Sequence, residues 1–189
     1  MDNSQSYYLK GKCLIAAPSL DDERFNRAVV YLCAHSAQGA MGFVINHKIT
    51  EFSFSDLAMQ LPIRFGAAVP PIALYHGGPV DKVRGFVLHT TDYLQGDCMV
   101  TGGGVAVSSS IDILSDIAMG DGPRESIIAM GYANWAPGQL EKEIIANDWL
   151  VASASEELVF KTKDEEKWQK ALDELKIDIN RLSQFAGRA

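Results

Sequence analysis

Strand-like segments follow one another through the first half of this chain with few helices between them, and this order constrains the fold most. Apolar runs that are typical of buried strands occupy residues 12–17, 28–34, 41–46, 72–76 and 85–90. The helical patterns are concentrated in the last third. A doubly wound parallel sheet alternates strands with helices, so this order favours an α+β or mixed fold with bent, antiparallel strands.

Glycines mark the turns between these strands. The runs at 28–34 and 41–46 are separated by the segment from His35 to Gly39, which predicts a hairpin. Residues 98–108 are strand-like but are broken by Gly102–Gly104, a glycine run without the lysine of a phosphate-binding loop. We therefore predict a turn or bulge there rather than a phosphate site.

Several helices carry recognisable start signals. Ser109 or Ser110 is placed to cap a helix whose apolar face would comprise Ile111, Leu114, Ile117 and Ala118. The segment Trp135–Leu140 predicts another helix, with Pro137 in its first turn, Gln139 folding back on the cap, and the two end residues forming a hydrophobic staple.

The last helices are predicted from capping and periodicity. Thr162 and Glu165 have the spacing of a capping box ahead of a helix with Trp168, Ala171, Leu172 and Leu175 on one face. A short helix is expected around residues 179–185. Lys161, Lys163, Lys167 and Lys170 are interleaved with acidic residues, so we interpret them as a solvated helix face.

Length and charge limit the classes of function. The 189 residues suit one domain spanning residues 1–189. The net charge is −7: residues 1–90 carry 8 basic against 7 acidic side chains, and residues 91–189 carry 9 against 17. An acidic second half makes direct binding of duplex nucleic acid unfavourable. The longest apolar run, at 28–34, is far too short for a membrane span, and we expect a cytoplasmic protein.

The ionisable residues form no standard catalytic or metal-binding motif. The three cysteines are widely spaced and include no CxxC pair, so we predict neither a metal site nor a cofactor. His35, His76 and His89 lie at predicted strand ends, where general bases occur but where structural histidines are more common. Glu141 and Glu143 are two residues apart on a helix and therefore do not form an acid–base pair.

A set of separate motifs, taken in order, resembles the AlgH/YqgE family of small bacterial proteins. The motifs cover nearly the whole chain and comprise His35 with Gly39–Gly42, the strand ending at Asn46, Gly77–Val80, Arg84–His89, Gly131–Trp135 with Gly138–Glu141, Glu143–Ile144, Asn147–Leu150 and Phe160–Thr162. Two positions depart from the pattern of the family. Ser36 replaces the usual Asn or Asp, and His76 stands where an apolar residue is typical.

The resemblance implies a fold more than an activity. It implies bent, bifurcated mixed sheets that form a pseudo-barrel with flanking helices. The family name also implies a role in transcriptional regulation, but the family supplies no catalytic residues to carry over. The biochemical function stays unknown at this point, and a non-enzymatic binding or regulatory protein with an unidentified protein or small-molecule partner is favoured over an enzyme.

Three hypotheses for the motif residues stay open. In the first, they form a binding surface comprising His35, Asn46, Gly77, Gly78, Pro79, Arg84, His89 and Trp135. In the second, the protein is a hydrolase with His35 or His89 as general base and Arg84 holding an anionic group. In the third, the glycines and tryptophans only satisfy the turns and the core of an unusual fold.

Overall fold

The computed structural model describes residues 8–176, and one sheet of nine strands runs through them. The strands are β1 (Lys12–Ala16), β2 (Val29–Ser36), β3 (Gly39–Val44), β4 (Ala73–His76), β5 (Val80–Thr90), β6 (Cys98–Gly102), β7 (Val105–Ser108), β8 (Ser126–Trp135) and β9 (Trp149–Ser153). Their order is β6-β7-β5-β8-β3-β2-β1-β9, with β4 beside β8. The predicted strands and the β2–β3 hairpin are confirmed.

The sheet forks at β8. One edge of β8 pairs along its length with β5, in antiparallel register from Val80↔Tyr132 to His89↔Ser126. The opposite edge is shared: its first half pairs with β4 in parallel, and its second half pairs with β3 in antiparallel register. The bifurcated, mixed sheet that the resemblance implied is therefore present.

The sheet curls into a half-barrel whose ends meet at the glycine-rich β6–β7 turn. The Tyr31 hydroxyl of β2 contacts the Thr101 hydroxyl and donates to the Gly102 carbonyl at 2.8 Å. Gly103, at φ +62°, lies so close to the end of β9 that a Cβ atom would approach the Ala154 carbonyl oxygen to 2.8 Å. The glycine run is thus a turn and a point of barrel closure.

Four α-helices cover the sheet within residues 8–176: α1 (Phe54–Gln60), α2 (Ile111–Met119), α3 (Gln139–Ile145) and α4 (Asp164–Glu174). A 3₁₀ turn (Glu23–Phe25) and a π-helical turn (Glu157–Lys161) complete the pattern. The curl encloses a core of side chains from most strands, and Trp168, Ala171 and Leu172 of α4 pack against it, as predicted. The architecture is a mixed α+β fold built on a curled, mostly antiparallel sheet.

The helix starts differ from the prediction in three places. α3 begins at Gln139, after Gly138, so Pro137 lies in the turn before the helix and not in its first turn. Ser110 is the cap of α2 by backbone geometry, but its side chain makes no capping hydrogen bond, and Ile111 is exposed. The capping box of Thr162 and Glu165 is wrong, because α4 begins after Lys163 and the Thr162 hydroxyl donates to the Glu157 carbonyl at 2.9 Å. Gln139 does accept from the Ala136 amide at 2.9 Å, as expected.

The interpretation of the lysines as a solvated helix face is wrong for Lys167. Its side chain is 1% exposed and donates to the Ile45 carbonyl at 2.7 Å and to Asp164 at 3.1 Å. The alternation of acidic and basic residues therefore includes an ion pair between Lys167 and Asp164 on the buried face of α4. The helix predicted around 179–185 lies outside the described residues. No helix within residues 8–176 is long and apolar enough to cross a membrane.

Candidate functional site

A cleft forms where β3 and β4 diverge at the fork. The segment after β3 runs back along the free edge of β4, and the His47 carbonyl accepts from the His76 amide at 2.8 Å. Gly77 then joins both branches to each other, since its amide donates to the Met130 carbonyl and its carbonyl accepts from the Val44 amide, each at 2.8 Å. The walls of the cleft are therefore fixed by main-chain hydrogen bonds.

The chain crosses β8 immediately after His76, and this crossing explains the two glycines. β4 and β5 flank β8 on opposite edges, so the connection must pass over the β8 backbone. A Cβ atom at Gly77 would lie 2.3 Å from the Gly131 carbonyl oxygen, and one at Gly78 would lie 2.1 Å from the Tyr132 carbonyl carbon. Only glycine permits this approach, which places Pro79 at the rim of the cleft.

We call this feature the basic cleft, because every ionisable side chain that lines it is basic. Its volume is about 440 Å³. Among residues 8–176 the lining consists of Arg24, Val44, His47, Ile49, Phe52, His76, Gly78, Pro79, Lys82 and Met130. Four possible cations and no carboxylate thus face the cleft, in a chain of net charge −7.

The four basic groups differ in how available their charge is. The Arg24 guanidinium is paired with Asp22 through hydrogen bonds of 2.9 and 2.7 Å, and this pairing lowers the pKa of the Asp22 carboxyl. Lys82 and His76 are exposed at the rim. The Lys82 ammonium is therefore the freest permanent positive charge of the basic cleft.

His47 forms the deeper polar wall. Its Nε2–H donates to the Asn26 carbonyl at 3.0 Å, since a carbonyl can only accept. Burial lowers the pKa of His47 and the nearby His76 lowers it further, although the Asn26 contact acts in the opposite direction. The imidazole is consequently neutral at pH 7 and becomes charged only in acid.

The remaining lining is apolar. Val44, Ile49 and Met130 form the floor, and Phe52 is 40% exposed at the edge. No serine, threonine or cysteine belongs to the described lining, so the basic cleft offers hydrogen-bond donors and apolar contact but no hydroxyl or thiol nucleophile. This composition is typical of a site that binds an anion carrying an apolar group.

Trp135 lines a second, more polar cavity of about 420 Å³ that shares Arg24 and Pro79 with the basic cleft. Its indole N–H donates to Glu143 at 2.7 Å, and the Trp149 indole donates to the same carboxylate oxygen at 2.9 Å. Both tryptophans are core residues, as the third hypothesis expected. Core packing and the hydrogen bond to Glu143 therefore fix the position of Trp135, and its side chain does not form part of an open surface.

The predicted binding residues therefore do not form one surface. Gly78 and Pro79 line the basic cleft and Gly77 supports it. Asn46 lies one residue before His47, but its side chain accepts from the Val29 amide and donates to the Arg27 carbonyl, each at 2.8 Å. Its side chain therefore joins the end of β3 to the segment that leads into β2.

His35 is buried at the opposite end of β2. Its Nδ1 accepts from the Leu9 amide at 3.0 Å and its Nε2 contacts Glu141 at 2.9 Å. The ring therefore carries its proton on Nε2 and donates to Glu141, which helps to lower the pKa of that carboxyl. The contacts tie the segment before β1 to α3.

His89 is also buried, although it has the partners of a catalytic dyad. Its Nδ1–H donates to the Thr90 carbonyl and its Nε2 accepts from the Ser108 hydroxyl, each at 3.0 Å. Burial lowers the pKa of His89. Ser108 is 3% exposed and His89 is 0% exposed, so the pair has no access for a substrate in this conformation.

Arg84 lies on an exposed bulge, with its guanidinium 5.0 Å from the centroid of the Phe86 ring. Four residues, 81–84, stand opposite the single residue Gly131 of β8. Five cavities formed by residues 8–176 include none of Arg84, His35 and His89 in their linings. Through the strand register, His35 is level with Trp135 at one end of β8 and His89 pairs with Ser126 at the other end. The three residues of the hydrolase hypothesis therefore do not converge.

The residues that give the basic cleft its charge were not among the predicted site. His47 was given no role, His76 lost weight because it departs from the pattern of the family, and Arg24 and Lys82 carried no motif. One signal was available: His76 precedes the glycine pair where the family has an apolar residue. Residues 8–176 contain no cluster of three or more His, Cys, Asp or Glu that could hold a metal ion.

Known proteins match this chain over almost its whole length. The family model described as AlgH-like matches residues 13–180. A UPF0301 protein of Azorhizobium caulinodans is 46% identical over 190 residues, covering 96% of this chain and 93% of that protein. A UPF0301 protein of Rhodospirillum rubrum is 44% identical, covering 96% and 95%.

Solved structures agree with the fold. The solution structure of AlgH from Pseudomonas aeruginosa matches with a TM-score of 0.76 and 39% identity, and each chain is covered in full. A crystal structure of a Corynebacterium diphtheriae protein matches with a TM-score of 0.65 and 24% identity, over 87% of this chain and 85% of that chain. The second match supports the fold alone.

Proposed function

The chain belongs to the AlgH-like family, and from that premise we propose that it is a binding protein whose basic cleft takes a small organic anion. The observation that carries this proposal is the charge of the lining. Every ionisable side chain in the basic cleft is basic, although the chain as a whole is acidic. A carboxylate, phosphate or sulfonate is the group that such a lining favours.

The apolar part of the basic cleft specifies the rest of the ligand. Ile49, Phe52 and Met130 offer contact for a ring or a short aliphatic group. A free inorganic anion would leave this surface unused. We therefore expect a ligand with one anionic group and one apolar group, small enough for about 440 Å³.

A role in transcriptional regulation, if the protein has one, would in this proposal depend on the bound ligand or on a protein partner. The net charge of −7 opposes direct contact with the phosphates of a duplex. Four basic side chains gathered in one cleft suit a single small anion better than a linear row of phosphates. The proposal thus separates ligand binding from any effect on DNA.

The test is a titration with phenyl phosphate in which binding is monitored by the amide chemical shifts of the protein in NMR spectra. Benzyl alcohol and inorganic phosphate are the matched probes that carry only one half of the proposed ligand. We expect phenyl phosphate to shift the amides of Val44, Gly78 and Lys82 and to bind more tightly than either half. Equal or absent responses to all three probes would overturn the proposal.

A pair of variants makes the test specific. Lys82 and Arg84 are both exposed bases on the same bulge, but only Lys82 lines the basic cleft. Lys82→Ala combined with His76→Gln should weaken phenyl phosphate by about tenfold, if each exposed contact contributes about 0.7 kcal/mol. Arg84→Ala should leave binding unchanged, and an equal loss there would indicate non-specific attraction.

A further inference from the structure

A separate cavity of about 370 Å³ lies in the gap where the sheet curls back on itself. We call it the seam cavity. Its lining consists of Cys33, Met41, Phe43, Phe86, Asp97, Cys98, Met99, Val107 and Ser109. β6 is the last strand of the sheet and is joined to β2 through the Tyr31 hydroxyl rather than by strand pairing, so the cavity opens into the half-barrel beside the free edge of β6.

We propose that the seam cavity is a binding site for a small aromatic amine. The site shares no lining residue with the basic cleft and does not depend on the function proposed for it. Its ligand would have the opposite charge. The argument rests on the walls, on the one charged group and on the mouth.

The walls are aromatic and rich in sulfur. The Phe43 and Phe86 rings lie 5.0 Å apart between centroids at 46°, and Tyr132 packs edge-on against Phe86. Met41 and Met99 contribute thioethers, which make favourable contacts with aromatic rings. These polarisable surfaces favour a flat ring over a branched aliphatic group.

Of the two cysteines in the wall, Cys33 is a packing group rather than a reactive one. The Cys33 thiol donates to the Met41 carbonyl at 3.4 Å, and burial raises the pKa of that thiol to about 12. A neutral thiol is a poor nucleophile and a poor metal ligand at neutral pH. At Cys33, reversible contact with an organic molecule therefore fits better than thiolate chemistry.

The only charged side chain in the described lining is Asp97. It is exposed at the start of β6, with Ser109 as a second polar group on the lining. A carboxylate beside an aromatic wall is complementary to a protonated amine that carries a ring. Charge complementarity thus selects an amine over a carboxylate or a neutral ring.

The mouth of the cavity exposes more apolar surface than a sheet edge needs. Met99 lines the cavity and is 40% exposed, and the next residue of β6, Val100, is 52% exposed. β6 also lacks the lysine or proline that commonly protects a free edge. An apolar lip around an apolar cavity is expected where a ligand enters.

Methionine methyl groups report directly on this site. In protein labelled with ¹³C at the methionine methyls, 2-naphthylmethylamine should shift Met41 and Met99. Met59 and Met119, which are exposed on α1 and α2, should not move. Binding of 2-naphthylmethanol or 2-naphthoate as tight as that of the amine would overturn the charge argument, and no shift at Met41 and Met99 would overturn the site.

Surface variants complete the test without disturbing the core. Asp97→Asn should lower the affinity for 2-naphthylmethylamine about threefold, which is the effect of losing one exposed ion pair. Met99→Lys places a second cation at the mouth and should weaken it at least as much, whereas Met59→Lys on α1 is the matched control. Retained affinity in both Asp97→Asn and Met99→Lys would contradict the proposal. Lys82→Ala should affect only the anion of the basic cleft.

Discussion

Replacing Lys167 with methionine tests whether a buried ion pair holds α4 against the half-barrel. The Lys167 ammonium donates to the Ile45 carbonyl at 2.7 Å and to Asp164 at 3.1 Å, and lies 4.9 Å from the centroid of the Tyr75 ring. The Tyr75 hydroxyl also donates to Asp164, at 2.7 Å. Methionine keeps most of the stem but leaves the carbonyl without its donor and the carboxylate without its cation.

The expected cost is about 3 kcal/mol. Removing one partner of a buried pair typically costs about 3–5 kcal/mol, and the value falls at the lower end because the Asp164 side chain is 22% exposed and keeps the Tyr75 hydroxyl. Burial lowers the pKa of Lys167, so relief from desolvation offsets part of the loss. The net effect stays destabilising because the Ile45 carbonyl is buried as well.

Urea denaturation measures this difference directly. With a slope of about 2–3 kcal/mol/M, a loss of about 3 kcal/mol lowers the midpoint by about 1–1.5 M. Lys170→Met is the matched control, since that side chain is 38% exposed, its contact with Glu157 is exposed and its contact with Thr162 is only partly buried. It should cost less than about 1 kcal/mol. Equal losses for the two variants would refute the reasoning.

Three further predictions concern titration and the tryptophan pair. The pKa of His47 is lowered, so the basic cleft gains the charge of His47 only as the pH falls below about 6.5. Affinity for benzenesulfonate, measured by calorimetry, should therefore rise from pH 7 to pH 5, and His47→Gln should reduce the rise. His89 is buried and its pKa is lowered, so unfolding takes up a proton below about pH 6.5, and the free energy of unfolding should fall by up to about 1.4 kcal/mol per pH unit as the pH decreases. Urea titrations of His89→Gln should show a weaker dependence of stability on pH below about pH 6.5. An unchanged dependence would contradict this role of His89. Glu143→Gln removes the charge that holds Trp135 and Trp149 and should cost about 1–3 kcal/mol with a changed near-UV circular dichroism spectrum, so an unchanged spectrum and stability would be evidence against that role.

Local features of the sequence predicted the elements well, because their causes are local. The β2–β3 hairpin follows from two apolar runs and a short turn. The segment from Trp135 through Leu140 predicted α3, although the helix begins at Gln139, two residues after the proline that was expected to open it. Lys167 was misjudged because a surface ion pair and a buried ion pair have the same spacing along a helix. Only the packing of α4 on the barrel distinguishes them.

The basic cleft could be predicted only in part. Gly77 and Gly78 were singled out by turn chemistry, but the sequence has no signal for the β8 backbone that they cross. His35 and His89 were correctly placed at strand ends, yet whether such a side chain is open or buried depends on partners such as Glu141 and Ser108, which lie far along the chain. His76 and Lys82 meet only after the fork has formed.

The fork at β8 also bears on how this chain folds. β8 is made near residue 130 but must insert between β5 on one edge and both β3 and β4 on the other. Such pairings have high contact order, because they join residues far apart in the sequence. The entropic cost of closing these long loops comes before the strand contacts stabilise the chain, and this makes folding slow. Arg24 and Met130 meet in the basic cleft only at the end of that process. During synthesis, a ribosome-bound chain that ends before β8 would have its early strands but no basic cleft, so ligand binding would report completion of the fold.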